Sequence, residues 1–207
     1  MALRGDRLRE HILYAAKDVF LEMGFERASM DAISSRAETS KRTLYAHFES
    51  KEKLYLAIIE LVRTLSMTKL RMPGDYSSDP AEALTLFCGR YLEILLYAPS
   101  IRMCRMGIEI AERFPEGAEQ YFDVIFSAMN ERVSTYLKKE FGLGAKTSAE
   151  AAQKLIGQIL YPRYLRALFG VDKPTKNIRE DGPAADFNLK PIRKAVAELL
   201  DSLPRRA

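Results

Sequence analysis

Ser40-Lys-Arg-Thr-Leu-Tyr-Ala-His-Phe-Glu-Ser-Lys51 is the stretch whose reading decides the fold of this chain. At ~100° per residue, Leu44 and Phe48 fall about 40° apart and define a buried side. Arg42 and Ala46 then lie roughly opposite, with Thr43 and Tyr45 on the flanks. A short helix with a small residue, an arginine and hydroxyls turned outward suits close approach to another surface, and the B-form major groove is wide enough to admit it.

The preceding residues supply the frame for that helix. Leu8, Ile12, Ala15, Ala16, Val19, Phe20 and Met23 recur at the spacing of one helix face over Arg7 to Met23. Gly24 follows as the expected left-handed C-cap. Ser29 can cap a second helix with Asp31 in its first turn, burying Met30, Ile33 and Ala37. Glu38-Thr39 makes a tight turn, and Ser40 caps the next helix. Two short helices across such a turn, the second bearing exposed Lys, Arg, Thr and Tyr, read as a helix-turn-helix.

Gly24-Phe25, Ala28-Ser29-Met30, Ile33, Ala37, Thr39-Ser40-Lys41, Thr43-Leu44-Tyr45, His47-Phe48 and Ser50-Lys51-Glu52 together resemble the TetR/AcrR family of transcriptional repressors. The likeness covers about the first sixty residues without a gap. One position departs: Glu38 stands where the family usually has Gly, which predicts a non-glycine residue at positive φ. Met106 to Phe122 is similar to one carboxy-terminal subclass of these regulators and names no ligand.

Net charge is only +4, and Lys+Arg and Asp+Glu nearly balance over residues 1–55, so placement carries the nucleic-acid reading. Arg4, Arg7 and Arg9 cluster at the amino end; Lys41, Arg42, Lys51 and Lys53 gather at the reading helix. Cys88 and Cys104 are too far apart for a metal or redox pair and read as small buried hydrophobes in a reducing cytosol. No apolar run approaches the ~18 residues of a membrane span. The charged amino terminus does not read as a signal peptide, so a cytoplasmic protein is expected.

Beyond the reading head, Lys51 to about Arg71 reads as a long connecting helix with Leu54, Ala57, Ile58, Leu61, Val62 and Leu65 inward. Pro73-Gly74 ends it. A further helix capped at Ser78 or Asp79 runs to about Ala98, where Pro99 breaks it. Ser100 to Phe114 is expected to be a helix apolar on two sides. Its stripe of Arg102, Arg105, Glu109, Glu112 and Arg113 reads first as an i,i+4 ion-pair lattice, with Glu109 or an arginine turned into a ligand pocket as the alternative. Another helix spans Glu116 to about Phe141, one capped by Ser148 runs to about Phe169 with a kink near Pro162, and a last one follows Pro191.

The fold expected is all-α. Residues 1–50 are a three-helix helix-turn-helix domain, 51–72 the connecting helix, and 73–207 a helical bundle for ligand sensing and dimerisation. The resemblance implies DNA contact through Ser29, Thr39, Ser40, Lys41, Arg42, Thr43, Tyr45, His47 and Lys51, most of them on phosphates. Arg42 and Thr43 reach base edges, and Ala46 faces a thymine methyl. It further implies repression from a palindromic operator, relieved when a small apolar ligand tilts the connecting helix. Phe87, Tyr91, Leu95, Met103, Met106 and Ile110 are candidate pocket residues, with Phe122, Phe126, Met129 and Tyr161. A homodimer is expected through the last two helices, at Leu155, Ile159, Leu165, Leu168, Ile192, Val196, Leu199 and Leu203, whose apolar arcs exceed one core stripe.

An enzyme is not expected. The two histidines lack the Glu partners of a di-iron bundle, and no His-Glu-x-x-His, Gly-x-Ser-x-Gly or dinucleotide fingerprint occurs. No cofactor or metal is called for. The competing reading is a DNA-binding regulator whose carboxy-terminal domain takes a protein partner.

Overall fold

The computed structural model of the chain describes residues 2–179 and 182–204, the side chains of 2–4 and 66–68 excepted. The Arg4 side chain of the amino-terminal basic cluster thus lies outside the described residues. The architecture is all-α: α1 Ala2–Arg27, α2 Met30–Arg36, α3 Lys41–His47, α4 Lys51–Lys69, α5 Pro80–Leu96, α6 Ala98–Glu109, α7 Pro115–Phe122, α8 Ala128–Phe141, α9 Ala145–Leu160, α10 Arg163–Leu168 and α11 Lys190–Ser202. Among the described residues there is no strand, only an isolated bridge between Tyr97 and Thr175. The chain divides into two compact units, one of Met1–Thr64 with Arg102–Val124, the other of Leu65–Ile101 with Ile125–Ala207.

The first unit is held by an aromatic cluster. Phe20 stacks on Phe25 at 5.7 Å between ring centroids, and Tyr55 meets both rings edge-on at 5.8 and 5.3 Å. Phe114 closes the cluster at 6.3 Å from Phe25 and from Tyr55. A Cβ at Gly117 would lie 2.6 Å from the Phe114 ring, so the absence of a side chain there admits it. Gly24 interrupts α1 at positive φ, as expected of the residue that ends a helix. Its φ of 76° and ψ of 167° make a kink, open at low cost only to glycine, and the helix resumes to Arg27.

In the second unit, α5 is the central element and packs against α9, α10 and α11, with α8 against α9. Asp79 caps α5 as expected, accepting from the Glu82 amide at 2.8 Å. Almost every residue from Ala83 to Leu96 is buried, Arg90 and Glu93 included. Arg90 is 0% exposed and donates to Glu93 at 2.5 Å, to the Lys69 and Gly182 carbonyls at 3.2 Å, and to the Arg179 carbonyl. The other Glu93 oxygen accepts from the Ala184 amide at 3.0 Å. One buried ion pair thus fastens the loop after α10 across the middle of α5.

Three element boundaries differ from expectation. The helix expected from Ser100 to Phe114 starts at Ala98 and ends at Glu109, in turns stitched by Phe114 N–H on the Ile110 carbonyl at 2.7 Å. The one expected from Glu116 to Phe141 is α7 and α8 joined by a π-helical turn, Asp123–Ser127. Ser148 is not an N-cap: α9 begins three residues earlier, and the buried Ser148 hydroxyl donates to the Ala145 carbonyl at 3.0 Å. At Pro162 the chain breaks into α9 and α10.

Truncating Arg90→Ala strands the Glu93 carboxylate in the core and should cost about 3–5 kcal/mol. The measurement is the urea unfolding midpoint; the paired change Arg90→Met with Glu93→Leu should recover much of the loss.

Candidate nucleic-acid interface

The reading helix α3 is seven residues long, too short to persist by itself, and its position is fixed by what it buries and by how it is capped. Leu44 is fully buried and Phe48 nearly so, as their spacing requires. The Ser40 hydroxyl accepts from the Thr43 amide at 3.1 Å and lies 2.8 Å from the Thr43 hydroxyl. Ahead of it, Ser29 caps α2 by accepting from the Ala32 amide at 3.1 Å. The turn between them runs through Glu38 at φ 46°, the left-handed conformation expected where a glycine would have been cheaper. Thr39 is half-buried, its amide donating to the Ser34 carbonyl at 3.0 Å.

The outer side of α3 carries Arg42, Tyr45 and Ala46, all exposed, Tyr45 to 49%. Among the described residues Arg42 makes no hydrogen bond or ion pair. Lys41 is tied to Asp31 on α2 at 2.7 Å. His47 is half-buried, its ring 6.5 Å from that of Phe48. Arg7 is exposed, and Arg9 stacks over the Phe48 ring at 4.9 Å, which brings one arginine of the amino-terminal cluster beside α3. Sequence periodicity placed Phe48 inward but gave no sign that an arginine would cover it.

Lys51 requires a correction. Its ammonium donates to the Phe25 carbonyl at 2.9 Å and the Ala28 carbonyl at 3.2 Å, approaches the Glu26 carbonyl at 3.5 Å, and sits 4.4 Å over the Phe25 ring. Its donors are engaged by the unsatisfied carbonyls that end α1, so it caps a helix instead of facing outward toward phosphate.

The other candidate sets are placed as follows. Phe87, Tyr91, Leu95 and Met129 are buried in the second unit, where the Tyr91 hydroxyl donates to the Ile125 carbonyl at 3.0 Å. Met103, Met106 and Ile110 are buried in the first unit; Phe126 is half-buried, and Phe122 and Tyr161 are exposed. Of the expected dimer residues, Leu155, Ile159, Ile192, Val196 and Leu199 are buried within the single chain. Their wide apolar arcs serve a thicker monomer core around α5, which corrects their assignment to a surface between subunits. Leu165 is exposed, while Leu168 and Leu203 are half-buried. Tyr55, buried with no hydrogen-bond partner for its hydroxyl among the described residues, has its pKa pushed up by that burial. No group of three or more metal-binding side chains occurs among the described residues, and no helix among them is long and apolar enough to cross a membrane.

Two short capped helices at a tight turn, with a clean arginine-bearing outer face, define a helix-turn-helix reading head of the kind found in transcriptional regulators. The sequence model of bacterial regulatory proteins of the tetR family matches residues 12–58, and that of the AefR-like transcriptional repressor C-terminal domain matches 82–186, about half of the chain. This chain belongs to the TetR family of transcriptional regulators, with an AefR-like carboxy-terminal domain, and members of that family are not enzymes.

It is 47% identical over 62 residues to the transcriptional activator FasR of Mycolicibacterium smegmatis, covering 28% of each chain. The curated relatives it first matches are covered over about a quarter to a half of their own length. Among solved structures, a TetR-family regulator of Mesorhizobium loti superposes with TM-score 0.77 over 96% of this chain and 97% of its own, at 22% identity. The flavonoid-responsive regulator FrrA superposes with TM-score 0.71 over 95% and 94%, at 25% identity.

Replacing Lys51 by Ala leaves the α1 carbonyls without their cation and uncovers Phe25. A loss of about 1–2 kcal/mol is expected, read as a lower thermal midpoint, while the salt slope of DNA binding stays where it was.

Proposed function

We propose that this chain is a DNA-binding repressor that sits on a palindromic operator as a homodimer and leaves it when a small apolar molecule binds. The observation that carries the reading is the outer face of α3: an exposed Arg42, without a hydrogen bond or ion pair among the described residues, beside an exposed Tyr45, on a helix pinned by Leu44 and Phe48. Arg42 presents two donors at the spacing of guanine O6 and N7, and Thr43 lies next to it. Ser29, Thr39, Ser40, Lys41, Tyr45 and His47 surround them as phosphate contacts, and Arg9 joins them.

In this reading residues 1–50 read DNA, 51–72 connect, and 73–207 sense and dimerise, in the cytoplasm where the chromosome is. Repression is favoured by the AefR-like repressor domain. A small-molecule inducer is favoured by the structural likeness to a flavonoid-responsive regulator. The buried Phe87, Leu95 and Met129 supply apolar walls for it. For the twofold contact the exposed apolar residues around α10 replace the buried set: Tyr161 at 70%, Leu165, Phe169 at 81% and Val171. Exposed apolar residues grouped within one short stretch of a helical bundle are the sort that another copy covers. A dimer is what a reader of two half-sites about 34–36 Å apart requires.

Selecting genomic fragments with the purified protein should return a palindromic site. Arg42→Ala should remove about 1–3 kcal/mol of preference for that site over a mismatched one, with fold and dimer intact; an unchanged preference overturns the base-reading role. Tyr161→Asp with Phe169→Asp should convert the dimer to a monomer by light scattering, and a dimer that survives places the interface elsewhere.

A further inference from the structure

A cleft of about 280 Å³ opens on the second unit between α8 and α9, lined by Asn130, Glu131, Ser134, Thr135 and Ala149. Asn130 and Ser134 are i,i+4 neighbours, as are Glu131 and Thr135, so the four make one patch on a single face of α8. Across from them α9 contributes the methyl of Ala149, which leaves the space open.

The hydrogens of this patch go to groups that do not line the cleft. Asn130 donates through Nδ2 to the Phe126 carbonyl at 3.3 Å, one turn earlier. That bond fixes the orientation of the amide, since the reverse would set two oxygens together. Its Oδ1 is then buried with no hydrogen-bond partner among the described residues, a state rare in folded proteins. The Ser134 hydroxyl donates to Ser148 at 3.1 Å, and Ser148 in turn to the Ala145 carbonyl at 3.0 Å. The proton of Ser134 is thus spent and its lone pairs are left over. Glu131 and Thr135 are exposed, and their side chains make no hydrogen bond or ion pair among the described residues. Nearby cations do not answer the carboxylate. Arg132 reaches the Leu70 carbonyl at 2.6 Å, Lys146 pairs with Glu150 at 4.0 Å, and neither they nor Lys138 line the cleft.

We propose that this cleft binds a small primary ammonium ion. Its N–H groups are shared among the Glu131 carboxylate and the Ser134 and Thr135 hydroxyl oxygens, and its short alkyl chain lies against Ala149. An ammonium presents three donors and no acceptor, the complement of a patch short of hydrogens. Charge-assisted bonds of this type are about twice as strong as neutral ones, which favours an amine over a polyol. The uncompensated carbonyl end of the Asn130 amide adds to the preference for a cation. Calcium gathers about six to eight oxygens, which one carboxylate and two hydroxyls do not supply. None of the apolar residues assigned to the inducer lines this cleft, so the site does not rest on that reading.

The test titrates the full-length protein, without DNA and at constant ionic strength, with propylamine, tetramethylammonium, n-propanol and calcium chloride, by calorimetry and thermal shift. Propylamine should bind saturably with Kd on the order of 0.1–10 mM. Tetramethylammonium, a cation without N–H, and the neutral n-propanol should each bind at least about tenfold more weakly. Glu131→Gln should weaken propylamine about tenfold. Ala149→Lys, which brings a tethered ammonium into the cleft, should abolish its binding. Both positions are exposed, so the unliganded thermal midpoint should not fall in either variant. The inference is overturned if propylamine does not bind up to about 20 mM, if tetramethylammonium, n-propanol or calcium matches it, or if either variant binds it as before. None of these outcomes bears on whether the protein recognises an operator, which the fragment selection reads separately.

Discussion

A helix of seven residues does not hold together in water, and both helices of the reading head are that short. Everything the protein presents on its reading side depends on burying Ile33, Leu44 and Phe48 and on giving each exposed helix end a hydrogen-bond partner. Ser29 and Ser40 do this at the amino ends through their own hydroxyls. Lys51 does it for α1 from across the fold, with its aliphatic stem and charge spread over Phe25. The aromatic cluster of Phe20, Phe25, Tyr55 and Phe114 gives these short pieces a common, stiff backing.

The second unit solves a different problem. Its central helix is buried on nearly every side, so the polar residues within it have to find partners there. Arg90 and Glu93 satisfy one another and then the backbone of the loop that crosses them, so that a segment with little apolar content is still fixed in place. The same demand for core explains why α9 and α11 spend their apolar arcs inward. The apolar surface that remains is displaced to the elbow around Tyr161 and the short α10 that follows.

The reading head was legible from residue types because its signals are local. Caps, a two-residue core stripe and a turn position at positive φ are all decided within a few residues, and Ser29, Ser40, Leu44, Phe48 and Glu38 stand as their chemistry dictates. Where side-chain partners come from distant sequence, composition gave no such guide. Lys51 reads as one more basic residue beside a DNA-facing helix until its reach to Phe25 and Ala28 is seen. Periodicity likewise reports that Leu155, Ile192 and Leu199 face something apolar without saying whether that is the chain itself or another copy. The π-helical turn at Asp123–Ser127 left no trace in a pattern read at a fixed period.

The contact between Lys41 and Asp31 links the first residue of the reading helix to the first turn of the helix before it. A phosphate that recruits this lysine must first displace an anion the protein itself supplies. Binding is therefore an exchange of partners, with the aspartate left to find water or a counterion. In the DNA contact proposed above, this aspartate would act as an internal competitor for the lysine, weakening phosphate attraction to any duplex alike.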